Sequence, residues 1–390
     1  MQNKKDIFGS FLLAEVRNLI KEYKMRVYFF FFTWIVSQVL ADYEKKIVEA
    51  FSKVSAHGEG NTKAVQAMDW SDQLRPDSIP SLLHAMNQAN PVGDNWIRGA
   101  IAKIIHSSDT LSFPEDQVKA FIEDKKNQGS SRRAAFEILR RSRPAAAMSL
   151  LSSFLTDPEP SLRREAIDVI LEDAENSSLQ KQAVLLFQKA LKNARDVDQI
   201  QEASEALKSR GQEINLVTLL GFKTKWDMLG PFDNTERKGF NQAYEPESEA
   251  HRKDSYQGKK SQIQWSSFSS SDRLGLLDIN KHYGELKEVV AYAKTSFYSA
   301  KNQKVQFRLG SKNAWKIWVN QELLFARDEY HRGGTRVDQF LIDGTLQKGE
   351  NQILLKICQN EQTQPWTKNW EFCFRVTDSS GQVIEEVSTD

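Results

Sequence analysis

The sequence predicts a multidomain α + β chain, with an N-terminal α-solenoid-like stack of helices followed by a C-terminal antiparallel β-sandwich. Three observations carry this. Apolar residues recur at helical spacing to about residue 215, and at alternate positions from Gly221 onward. A short unit, Arg-x-Ala-apolar, recurs within the helical part. The change of period falls near Trp226–Phe240, where Gly230-Pro231 cannot sit inside a helix. For 390 residues, two domains are the natural expectation.

Residues 1–24 are polar and weakly amphipathic. From Met25 the pattern is that of a secretory signal. Lys24 and Arg26 precede the apolar run Val27–Val36, and Val39 and Ala41 suit positions −3 and −1 of a cleavage site. The run is too short to span a bilayer comfortably. Residues 1–24 are therefore expected to be a non-native extension and 25–41 a signal peptide. A retained anchor and a buried core helix are the alternatives.

Helices are expected over 42–215. Ile47, Val48, Phe51 and Val54 share one helical face. The recurring unit is anchored at Arg98, Arg133 and Arg164, a period of roughly thirty to thirty-five residues, as in stacked helix pairs. Each copy follows a break: Asn90–Asp94, Asn127–Ser131 and Asp157–Ser161. In the last, proline fixes the turn and Ser161 suits an N-cap. The small Ala lets helices approach and the following Ile or Phe fills the space between them. This pattern resembles HEAT or armadillo-type repeats. Two further helices are expected over Gln180–Ala194 and Asp196–Ser209, the second closed by Gly211.

Residues 216–390 form the expected β-domain. Ala291–Phe297, Val305–Leu309, Trp315–Val319, Gln352–Ile357 and Glu371–Val376 alternate, and the breaks between them are rich in Gly, Asn, Asp and Ser. Trp226 and Phe232 are expected as core anchors, and Gly230-Pro231 as the turn from strand to loop. Alternation puts Cys358 with Lys356, and Cys373 with Arg375, on the polar faces of their strands. If those strands pair, a cross-strand disulfide is geometrically open; otherwise both thiols are free.

An ordered series runs through this region: Trp226, Leu229-Gly-Pro-Phe-Asp-Asn234, Tyr244-Glu-Pro-Glu247, Ile263-Gln-Trp265, Lys316-Ile-Trp-Val-Asn320 and Asn351–Lys356. It resembles the galactose-binding-like, jelly-roll accessory domains of secreted bacterial proteins, which recur in large planctomycete proteins, some also with helical repeats. The resemblance implies a carbohydrate-binding module, a spacer or interdomain glue. Two departures stand out. The usual Gly-Ser-Asp-Asp-Gly turn is Gly310-Ser-Lys-Asn-Ala314, which removes the paired Asp of a calcium or ligand turn. The usual Asn-Gly is Asn320-Gln321, so a non-glycine residue must take the hairpin conformation.

Composition narrows the chemistry. Lys+Arg number 53 and Asp+Glu 52, so no global positive field points to nucleic acid. The six histidines show no metal spacing, two cysteines are too few for a zinc site, and no G-x-S-x-G occurs. Neither metal nor cofactor is expected. Glu245, Glu247 and Glu249 read as a solvated edge rather than the opposed acids of a glycosidase. The amide-rich loop Gln359–Trp370 is the first binding candidate. Trp366 and Trp370 are placed to stack on a sugar, and Asn360 and Glu361 to hydrogen-bond to it. Arg327 and His331, on a second polar loop, are further candidates.

These residues together predict a secreted or periplasmic, non-enzymatic binding or scaffold protein. Its helices would take a protein partner, and its β-domain a glycan or another protein. A polysaccharide-active enzyme with an interdomain site and an intracellular interaction scaffold are the alternatives. Contact with a membrane is expected only through the N-terminal segment.

Overall fold

Helix formation follows the apolar stripes. The computed structural model describes residues 38–39, 41–107, 112–248 and 253–387. Residues 1–24 lie outside these, as does the expected signal segment 25–41 apart from Gln38, Val39 and Ala41; so does Glu249. The chain divides into two compact units, Met1–Phe154 and Leu155–Asp390. The change from helix to strand thus lies inside the second unit, away from the division itself.

In the first unit the helices are α1 (41–52), α2 (Asn61–Trp70), α3 (Ile79–Met86), α4 (Pro91–Ser107), α5 (Glu115–Glu123), α6 (Gly129–Ser142) and α7 (Pro144–Leu150). Consecutive helices pack as pairs, α3 on α4 and α5 on α6. The break at Asn90 works as a cap: its Oδ1 accepts the amides of Val92 (3.0 Å) and Gly93 (2.9 Å). In the recurring unit, Ala100-Ile101 on α4 and Ala135-Phe136 on α6 are buried. The arginines stay at the surface in ion pairs, Arg98 with Asp94 (2.8 Å) and Arg133 with Glu137 (3.0 Å).

The second unit opens with α8 (Pro160–Glu175), α9 (Gln180–Asn193), α10 (Val197–Lys208) and α11 (Leu216–Leu220). Its third copy of the unit behaves like the others: Ala166 and Ile167 are buried, and Arg164 reaches Asp198 (2.5 Å). Glu159, not Ser161, is the cap of α8, its carboxylate accepting the Ser161 amide and, at 2.7 Å, the Ser161 hydroxyl.

Strands follow: β1 (Lys225–Asp233), β2 (Tyr256–Gln257), β3 (Gln262–Ile263), β4 (Ser266–Ser269), β5 (Leu277–Asp278), then the short α12 (Asn280–Tyr283), β6 (Val289–Ser299), β7 (Gln303–Gly310), β8 (Ala314–Val319), β9 (Glu322–Arg327), β10 (Phe340–Leu346), β11 (Gly349–Gln359) and β12 (Glu371–Thr377). They form an antiparallel six-stranded sheet, β4-β1-β6-β11-β8-β9, and an antiparallel four-stranded sheet, β10-β7-β12-β5, beside the small pair β2-β3. One apolar core joins residues of both large sheets, among them Trp226, Ile317, Leu355, Phe307, Trp370 and Phe374. Gly230-Pro231 sits inside β1, at a bulge between Leu229 and Phe232, and not at its end. The bulge changes which side the strand presents: Trp226 joins the shared core, while Phe232 joins a second cluster on the other face.

That second cluster corrects the reading of the cysteines. Cys358 is fully buried among Phe232, Phe240, Tyr244, Tyr256 and Tyr292, because residues 240–248 and 253–265 cover the outer face of the six-stranded sheet. Cys373 is buried against Phe187, Leu207, Leu220 and Phe222, because the helices cover the outer face of the four-stranded sheet. The strands carrying the two thiols lie in different sheets and do not pair, and both thiols are free. Burial pushes each thiol up to about 12.

Glu247 is not at a solvated edge either. Lys356, fully buried, donates to Glu247 Oε1 (2.7 Å), Gln242 O (2.7 Å) and Phe240 O (3.1 Å). The Tyr292 hydroxyl donates to the same carboxylate. This buried ion pair fastens the 240–248 segment onto the sheet.

Candidate functional site

Register gathers the candidate loops at one end of the sheets. Asp233 of β1 and Gln359 of β11 both pair with Val289 of β6, and Cys358 pairs with Ala314 of β8. The residues just beyond these pairs therefore converge: Asn234, Glu288, Lys312-Asn313 and Asn360. The connections Asp328–Gln339 and Asn360–Trp370 complete the group.

The 311–313 turn is fixed from within. Gly310 admits no side chain, since a Cβ there would lie 2.0 Å from Arg336 O. Ser311 Oγ donates to Glu371 O (2.8 Å) and Asn313 Nδ2 to Asn369 O (3.2 Å). Lys312, 7% exposed, donates to Trp366 O (2.7 Å). Lys287 donates to the next carbonyl, Thr367 O (2.9 Å), which also accepts Gln359 Nε2 (3.1 Å). Asn280 Nδ2 takes the third, Lys368 O (3.1 Å). Three successive carbonyls are thus held by side chains, and the loop is a rigid mount for Trp366. That residue is 67% exposed, the most exposed large apolar side chain among the described residues.

The other candidates divide. Trp370 is fully buried in the shared core, its Nε1 donating to Ile357 O (3.2 Å), so no ligand can stack on it. Asn360 is also fully buried. Its Oδ1 faces His331 Nε2 (2.9 Å) and its Nδ2 donates to Gln362 Oε1 (3.1 Å), so it shapes the loop rather than waiting for a ligand. Glu361 is exposed and bound by Arg237 (Nε to Oε2, 3.1 Å). Arg327 lies over the Phe340 ring (4.9 Å) and donates to Glu329 Oε2 (2.8 Å), with no bond to the 360–370 loop. His331 does join the cluster, with a φ of 53° and its Nδ1 buried without a hydrogen-bond partner. Burial lowers its pKa below the usual imidazole range; the Asn360 bond opposes this, and the Lys287 and Lys312 charges add to it. The imidazole is accordingly neutral at neutral pH.

Lys287, Lys312, Tyr330 and Asn234 were not anticipated as members. Asn234 Nδ2 donates to Gln359 O (2.9 Å) and to the Tyr330 hydroxyl (3.1 Å), linking three connections. The one sequence signal for any of them was Lys312 itself, a cation in a turn where the family resemblance led one to expect acids. Among the described residues, no group of three His, Cys, Asp or Glu is placed to hold a metal, and no helix is long and apolar enough to cross a membrane.

The first unit carries a separate cavity of about 470 Å³ between α4 and α6. Its lining includes the apolar Ile79, Ile105, Phe113 and Ile138 and the cationic Arg98 and Arg141.

No protein-family model and no curated protein matches the chain. Solved structures similar to parts of it include a β-glucosidase of Kluyveromyces marxianus in complex with glucose, at 13% identity and TM-score 0.19. That match covers 23% of this chain, which spans only 11% of the glucosidase. The PA14 domain of the antifreeze protein MpAFP matches at 10% identity and TM-score 0.20, over 42% of this chain and 70% of that one. The alkylpurine DNA glycosylase AlkC of Pseudomonas fluorescens, bound to DNA containing an abasic-site analogue, matches at 12% identity and TM-score 0.20, over 83% and 78%. Similarity at this level carries neither fold nor activity to this chain, which is described by its own geometry.

Proposed function

We propose that this chain is an exported, non-catalytic binding protein. Its two large sheets form a jelly-roll-like β-sandwich that holds a saccharide against Trp366, and its helices form a solenoid-like scaffold for protein contacts. The observation that carries the reading is Trp366: a large, exposed aromatic face on a loop whose carbonyls at 366, 367 and 368 are all fixed by side chains. An aromatic held in place beforehand loses little entropy when a ligand stacks on it, and the C–H face of a sugar ring suits such a platform. A glycan array probed with the intact chain and with Trp366→Ala tests this. Binding that disappears in the variant supports the reading. Binding indifferent to the substitution, or none on the array, overturns it.

A second reading, a protein-segment binder, is favoured by the α4–α6 cavity, whose apolar lining, with arginines among it, suits a segment with apolar anchors. An enzymatic role stands as the alternative, and turnover of a polysaccharide library by the intact chain would establish it.

A further inference from the structure

Lys287 and Lys312 bind successive carbonyls, Thr367 O and Trp366 O, so their ammonium groups lie side by side beneath one loop. His331 is tied to the same place, its amide donating to Lys312 O (2.6 Å). Among the described residues, no carboxylate lies within ion-pairing distance of either lysine. The acids nearby are committed elsewhere: Glu285 to Lys368 (3.2 Å), Glu361 to Arg237, and Glu288 Oε1 to the Glu236 amide (3.2 Å). Lysines that are buried are ordinarily paired, because a charge taken out of water without a counter-charge is costly. Here two stand together, one of them 7% exposed, next to an imidazole whose Nδ1 is buried and unbonded. Gln359 lies close to that imidazole, yet Nδ1 reaches no partner at hydrogen-bond distance. Crowding is felt electrostatically as well. Burial first, and then the Lys368 and Lys312 charges, lower the Lys287 pKa, against the opposing pull of Glu285.

We propose that Lys287, Lys312 and His331 form a site for one anionic group, and that the ligand held at Trp366 is an acidic saccharide bearing a carboxylate or a sulfate. An anion there supplies the missing counter-charge to both ammonium groups and favours protonation of His331, whose Nδ1–H then donates a hydrogen bond to it while Nε2 keeps its bond to Asn360. The identity of the carrier as a saccharide rests on the Trp366 reading; the anion site itself does not.

The test uses the intact chain and two probes. In the first arm, sodium sulfate is titrated at constant ionic strength against sodium chloride while the His331 ring resonances are followed by NMR. The expected result is a saturable shift with a raised His331 pKa, weakened about tenfold or more in Lys287→Met, the loss of one charge-assisted contact. Lys312→Met should act alike; since Lys312 is buried and this variant could fail to fold, Lys287→Met carries the arm alone. A response that does not saturate, that chloride reproduces, or that survives in Lys287→Met overturns the anion site. In the second arm, calorimetry compares a uronate oligosaccharide, a sulfated one and their neutral parent. At least about tenfold tighter binding of one acidic form is expected, with the advantage shrinking as salt rises. Which acidic form prevails identifies the anion. Trp366→Ala should abolish saccharide binding and leave sulfate binding intact. Saturable sulfate with no saccharide binding defeats the glycan reading and leaves the anion site. Equal binding of neutral and acidic saccharides with no sulfate response does the reverse.

Discussion

Asp338 shows how single charges hold the second unit together. Its carboxylate takes Arg308 Nη1 (2.7 Å) and Arg375 Nε (2.8 Å), joining β7, β12 and the 328–339 connection. Arg375, 1% exposed, also donates to Leu220 O (3.3 Å) at the end of α11. Burial alone would raise the Asp338 pKa, but the hydrogen bond and charge of Arg375, with the charge of Arg308, bring it below the ordinary 3.8. The folded state therefore binds this proton less readily than the unfolded one. Its contribution is complete above the unfolded pKa and is lost as pH falls below 3.8 through the depressed folded value. Asp338→Asn keeps the shape and suits the positive φ of 56°, while leaving the buried Arg375 and the largely buried Arg308 uncompensated. Urea unfolding at pH 7 should show a loss of about 3 kcal/mol, the usual scale for breaking a buried pair, and the gap between variant and parent should narrow in strong acid. A pH-independent difference would mean that packing, not charge, holds the site.

The β8–β9 hairpin tests turn chemistry. Asn320 and Gln321 both adopt positive φ, 52° and 71°, the conformation two-residue hairpins favour, with the second position usually taken by glycine. Asn320 earns its place through Oδ1, which accepts the Gln352 amide (3.0 Å), whereas Gln321 is exposed. The left-handed region costs a side-chain-bearing residue roughly 1–2 kcal/mol, part of which glycine returns as unfolded-state entropy. Gln321→Gly should therefore stabilise the chain by about 0.5–1 kcal/mol in urea unfolding, with an unchanged m-value; destabilisation would show that Gln321 makes a contact worth more than its strain. This turn was legible only through the resemblance that sets Asn320-Gln321 where Asn-Gly is usual, whereas the long strands were legible from their own alternation. The site was legible only in part. Trp370 stands in phase with Phe372, Phe374 and Val376, and counting back by twos from them places it on the core face. Trp366 lies beyond the strand, where no period applies and only the folded loop decides exposure. Lys287 and Lys312 come together through carbonyls of a distant loop, and backbone carbonyls leave no mark in a sequence.

At the scale of the chain, periodicity and compactness mark different boundaries. The period changes from helical to alternating near Gly221, and the expected domain border was placed at 215–216 on that ground. The compact units divide at Phe154–Leu155 instead. The reason lies in the outer face of β12, where Cys373 and Arg375 read as a polar side. In the folded chain Cys373 and Phe222 belong to one apolar cluster with Ile167, Leu171, Phe187, Leu207 and Leu220, against which Leu274, Leu276 and Val337 also pack. Arg163 adds a bond from α8 to Ser380 O (2.7 Å). Helices α8 to α11 are thus the cover of the four-stranded sheet, and a strand face that needs a cover cannot be recognised by its own alternation. A fragment of residues 155–390 should unfold cooperatively and remain monodisperse in size-exclusion chromatography. A fragment of residues 221–390 would expose Phe222, Leu274, Leu276, Val337 and Cys373. With roughly 1.5–3 kcal/mol at stake for each large apolar side chain that loses its burial, it should be less stable by several kcal/mol and prone to associate through that face. Equal unfolding midpoints for the two fragments would show that the sheets stand without their helices, and that the change of period is the true border after all.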